Sequence, residues 1–152
     1  MANLSGIGTM AHNNKVDLRI ARNVLVVAFV VVAFGARAAS PCDGVDRSLT
    51  TERHAALAPA IAKQMHVPIV DVLKSFRFGG WSIIYVATHQ ADEAFLFYAH
   101  DPLRSHYVTL WSGGARLDEG QVIRKWVEKN APGIPSKLAG CFAWHVTKDR
   151  DM

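Results

Sequence analysis

Cysteine is scarce in this chain of 152 residues, with two in all, and long apolar runs, phosphate loops and clustered metal ligands are missing. Each shortage excludes a class of function. The longest apolar run, Val24 to Ala36, has thirteen residues, short of the ~20 that comfortably span a bilayer. Neither G-x-G-x-x-G nor G-x-x-x-x-G-K-[ST] occurs, so the common nucleotide-binding loops are absent. The chain also lacks C-x-x-C, H-E-x-x-H and G-x-S-x-G, and with them the local signatures of redox, zinc and nucleophile-elbow chemistry. No cofactor is expected.

A working charge bias is lacking as well. The formal net charge is +4, but Lys15, Arg19, Arg22 and Arg37 stand against Asp17 alone in residues 1–38. The remainder holds thirteen basic and twelve acidic residues with no basic run. A nucleic-acid binder needs a concentrated basic footprint, so that class is set aside. Apolar residues make up 50% and charged residues 20%, which excludes a disordered chain.

What is present begins with a targeting signal. A basic stretch (Lys15, Arg19, Arg22), the apolar run and the small residues of Ala36-Arg37-Ala38 are the three parts of a secretory leader. Cleavage is expected after Ala38, leaving one domain over 39–152. The alternative is an uncleaved anchor over 20–36, in which case the membrane is met through the leader only. The long leader also leaves Met1 and Met10 as competing starts. Export suits the cysteines: Cys42 and Cys141 lie near either end of the expected domain. In an oxidising compartment they read as one disulfide worth at most ~4 to 5 kcal/mol.

The order of elements predicts an α+β fold. Thr50 or Thr51 caps a first helix with apolar positions at Leu57, Ala58, Ile61, Ala62 and Met65, and Pro59 predicts a kink or break within it. Val67 to Phe78 fits helix and strand periodicities alike, and the Gly79-Gly80 hairpin signal before Trp81 to Thr88 decides for paired strands. Ala94 to Ala99 and His106 to Ser112 extend this to an antiparallel meander. Asp118 and Gln121 read as a capping box opening a second helix with Val122, Ile123, Trp126 and Val127 on its apolar stripe. Cys141 to Thr147 is expected to be a C-terminal strand. Both helices are expected on one sheet face. This order resembles that of several small exported modules, cystatin-like ones among them, an architectural likeness that carries no function.

Candidate chemistry is thin. Six histidines follow Ala38 without metal-ligand spacing, and the adjacent pairs Asp92-Glu93 and Asp118-Glu119 read as solvated or helix-capping carboxylates. No catalytic or metal-ligating residue is assigned. The aromatic excess is more informative, because a sheet covered on one face alone would leave some aromatics on its open face. Trp81, Tyr85, Tyr107 and Trp111, with Arg77 and Arg104 nearby, have the composition of an interface hot spot. Asp101 and His106 join them through the loop His100 to Ser105. The leading expectation is an exported, non-catalytic binding module of inhibitor, immunity or envelope-accessory type, whose partner is another protein or an envelope component. The alternative is a small-ligand, hydrolase-like or isomerase-like pocket using His100, Asp101 and His106.

Overall fold

A computed structural model of the chain describes residues 39–149. The expected leader, residues 1–38, lies outside the described residues. Helix α1 (Thr51–Met65) is followed by strands β1 (Asp71–Phe78), β2 (Trp81–Ala87), β3 (Ala94–Tyr98) and β4 (Thr109–Ser112), then by helices α2 (Gly120–Asn130) and α3 (Ser136–Trp144) and one π turn, His145–Asp149. The strands form a four-stranded antiparallel sheet in sequence order. The fold is α+β, and the meander is as expected.

Local chemistry accounts for the helix ends. The Thr50 hydroxyl accepts from Arg53 N at 3.2 Å and so satisfies one of the free amides of the first turn of α1. His66 closes the helix in the left-handed conformation. Of the kink or break expected at Pro59, the break does not occur, and one helix runs through it. Pro59 and Ala55, whose carbonyl loses its usual partner, are both exposed, where water can stand in. Asp118 does not cap α2. The capping position is Glu119, whose carboxylate instead accepts from Arg116 N at 2.8 Å and closes the turn before the helix.

Two further expectations are overturned. The helices do not share one face: α1 packs on one side of the sheet, with Leu57 and Ile61 against Val72, Ile84, Val86 and Leu96. On the other side, Ile123, Val127, Leu138 and Phe142 of α2 and α3 cover Phe76, Ile83, Tyr85, Phe95 and Phe97. The middle strands reflect this directly, with every residue from Trp81 to Val86 and from Ala94 to Tyr98 buried. Continuous burial of that kind is the pattern of a strand covered on both faces. Secondly, Cys141 stands in a helix, not a strand. Leu138, Ala139, Phe142 and Val146 recur at helical spacing and all face the core, so this segment buries more as a helix against the sheet than as a fifth strand.

The disulfide Cys42–Cys141 is present, with both residues buried and a separation of 99 residues. It fastens the segment before α1 to α3. A backbone bridge between Asp46 and Arg77 lays the same segment beside the outer edge of β1. Among the described residues no helix is long and apolar enough to cross a membrane.

Candidate functional site

The two-residue turn Gly79-Gly80, with φ of +59° and +83°, lets β1 fold back on β2. It sets Arg77 opposite Ser82 and Phe78 opposite Trp81. Three other segments converge on this end of the sheet: the strap carrying Asp46, the first turn of α1 carrying Arg53, and the loop after β3 carrying Asp101. Together they border a shallow, open groove of about 500 Å³ lined by Asp46, Arg53, Arg77, Phe78, Trp81 and Asp101.

Its electrostatics are those of two ion pairs. Arg77 meets Asp46 at 2.5 Å and Arg53 meets Asp101 at 2.7 Å. Hydrogen bonds from Ser48 hold the Asp46 carboxyl below its usual range, with Arg77 adding to the effect. The Arg53 hydrogen bond does the same for Asp101 against a smaller opposing effect of burial, with help from the Leu103 amide and Arg104. Both carboxylates are therefore ionised and already engaged, which removes them as general acids. Arg77 keeps its Nε buried without a partner among the described residues, while Phe78 is partly exposed at the rim. Planar donors beside an aromatic rim suit polar recognition.

Three of the eight predicted site residues, Arg77, Trp81 and Asp101, thus meet in one groove. Arg104 is exposed on the adjoining loop, its amide bonded to Asp101 O at 2.9 Å. The rest lie elsewhere. Tyr85 is buried, stacked on Phe95 with ring centroids 4.1 Å apart. Trp111 leans on Phe95 and Phe142 from the same side. Tyr107 packs on the α1 side against Tyr98, because β4 starts only at Thr109 and the strand alternation does not extend back to it. His106 sits exposed over Tyr107. The premise of an open aromatic sheet face fails, since α2 and α3 occupy it. The Asp101 carboxylate turns to Arg53 and the Leu103 amide, and the His106 Nδ1 lies 3.2 Å from Tyr107 O.

Sequence reasoning missed two features. The first is Gln64, whose Nε2 donates to Pro102 O and Ser105 O while its Oε1 accepts from the Tyr98 hydroxyl. A polar residue one position from the end of an amphipathic helix carries no signal of that role. The second is a cleft of about 980 Å³ between the β2–β3 loop (Asp92, Glu93), the segment Gly113 to Leu117 and the π turn. The Tyr85 hydroxyl donates to Glu93 at its wall. Gly113-Gly114 and Asp92-Glu93 are visible in the sequence as turn residues, but nothing there says that they face each other.

Among the described residues no three His, Cys, Asp or Glu side chains come together as a metal site would require. Comparison with protein-family models, curated proteins and solved structures returns no significant match, so function is argued from geometry alone.

Proposed function

We propose that this protein is an exported, non-catalytic binding module that engages another protein or an envelope component. The contact surface is the end of the sheet formed by the Arg53–Arg77 groove and the adjoining loop His100 to Ser105. The observation that carries this reading is the convergence of Arg53, Arg77, Asp46 and Asp101 around Trp81 and the exposed Phe78, from four separate segments. Arginines and aromatics at a groove rim are the residues that dominate binding energy at protein interfaces. The disulfide and the secretory leader of the sequence support export.

The test is site-specific photo-crosslinking from position 78, with the protein expressed in its own envelope. A single adduct that disappears in Arg77→Ala and Arg53→Ala and persists when the crosslinker background carries Ser112→Ala supports the surface. An adduct indifferent to both arginines places the contact elsewhere.

The large cleft favours a second reading as a small-ligand site, with Glu93, Arg116 and Lys148 as its polar groups. Saturable binding of a small molecule that is lost in Glu93→Gln and unaffected by Arg77→Ala would select it over the first.

A further inference from the structure

Asp46 and Arg47 are neighbours in the chain and serve different sites. Asp46 pairs with Arg77 in the groove, while Arg47 reaches Asp149 at 3.0 Å. The same Asp149 oxygen, Oδ2, lies 3.2 Å from Nδ1 of His145. We propose that the chain Arg47–Asp149–His145 is a pH-operated clasp, which holds the segment before α1 against the C-terminal π turn and releases it when His145 takes up a proton.

The argument rests on how His145 is buried. Its side chain is 1% exposed, with Phe76 at 4.9 Å and Phe95 at 6.0 Å between ring centroids. Asp149 is held ionised: burial acts to raise its carboxyl, but the bonds from His145 and Arg47 outweigh that and keep it low. An ionised carboxylate only accepts, so Nδ1 carries the hydrogen and Nε2 is the site left for a second proton. That Nε2 is buried and has no partner among the described residues. An N–H formed there would have no acceptor, so protonation favours the form in which the imidazole has left the aromatic site.

The charged groups around His145 come from three segments. Asp149, on its own turn, favours the cation. Lys74 on β1 and Arg47 on the strap oppose it, and burial, the largest effect, opposes it too. The rings of Phe76 and Phe95 contribute no net charge. When His145 leaves, the π turn loses one of its three buried side chains, Asp149 is no longer positioned, and Arg47 loses its partner. The disulfide Cys42–Cys141 still fastens the segment before α1 to α3, just ahead of the π turn, so release is local. Its effect on the groove, through Asp46 and Arg77, rests on the binding reading above. The clasp itself does not.

Hydrogen exchange read by mass spectrometry tests the clasp without any partner. The closed form takes up a proton less readily than an open form with the ordinary imidazole value of 6.5. Between about pH 7.5 and about pH 5.0 the open fraction therefore rises by up to about thirtyfold. After correction for intrinsic rates, exchange should rise in residues 43–49 and 145–149, stay level in β2 and β3, and become independent of pH in His145→Phe. An unchanged pH response in His145→Phe, or none in the wild-type protein, overturns the proposal. If His145→Phe fails to fold, imidazole nitrogen spectra of the wild-type protein decide the matter. A His145 midpoint matching that of exchange supports the clasp, and titration of His145 with no change in exchange refutes it.

Discussion

The Tyr98 hydroxyl donates to Gln64 Oε1 at 3.0 Å, and the same Gln64 amide holds Pro102 O and Ser105 O at 2.9 and 3.0 Å. One side chain on α1 therefore satisfies a buried phenol on β3 and fixes both ends of the loop beside the groove. Burial raises the Tyr98 phenol far above its usual range, with Tyr107 adding a little, so it stays a neutral donor.

Gln64→Leu should accordingly cost more than its exposure suggests. It strands the Tyr98 hydroxyl and frees two loop carbonyls, a loss of about 1 to 3 kcal/mol. Urea unfolding should show the loss, and hydrogen exchange should rise in residues 101–106 before anywhere else. An unchanged midpoint would mean that water replaces Gln64 fully.

Trp111→Ala is expected to destabilise the protein by about 1 to 3 kcal/mol, because its ring fills the corner between Phe95 and Phe142. Arg104→Ala, on an exposed loop residue, should leave the unfolding midpoint within about 0.5 kcal/mol. Thermal melts of the two variants distinguish them. Equal melts would show that Trp111 is a surface residue after all.

The hairpin glycines should differ. At Gly79 a Cβ would lie 2.9 Å from Pro135 Cγ, whereas at Gly80 nothing lies within 4 Å. Both have positive φ, so each alanine carries backbone strain of about 1 kcal/mol, and Gly79→Ala adds a clash with Pro135, the residue just before α3. Gly79→Ala should be the less stable by urea midpoint; the opposite order would show that the hairpin and α3 are not packed as described.

Stability should fall on mild acidification. Burial lowers the His145 value below 6.5, so the unfolded chain binds a proton there that the folded one does not. Its contribution is fully present above about pH 6.5 and is lost as the pH falls toward the folded value. Urea midpoints from about pH 7.5 to about pH 5.0 should decline in the wild-type protein and decline less in His145→Phe. Parallel declines would assign the acid sensitivity to other groups.

The legible parts of the fold were those with a local cause. Gly79-Gly80 announces a hairpin because only glycine takes two positive φ values without cost, and Thr50 announces a helix start because its hydroxyl reaches a free amide. The misread parts had local signals that pointed the wrong way. Phe142, Trp144 and Val146 look like strand residues, yet α3 forms because Leu138, Ala139 and Phe142 gain more by packing on Phe95 and Phe97. Trp81 and Tyr85 look like surface aromatics only if one sheet face is open. The continuous apolar runs of β2 and β3 already argued that it is not.

By itself the sequence determined the α+β order, the meander, the pairing of Cys42 with Cys141 and the exclusion of the common nucleotide and zinc loops. Those properties follow from residue types and short spacings, which act within a turn or two of chain. Only the tertiary structure decided that helices cover both sheet faces, that Arg53 meets Asp101, and that Arg47, Asp149 and His145 form one chain of contacts. Arg53–Asp101 and Arg47–Asp149 join residues 48 and 102 positions apart, and such partners are chosen by packing rather than by any preference of the local sequence.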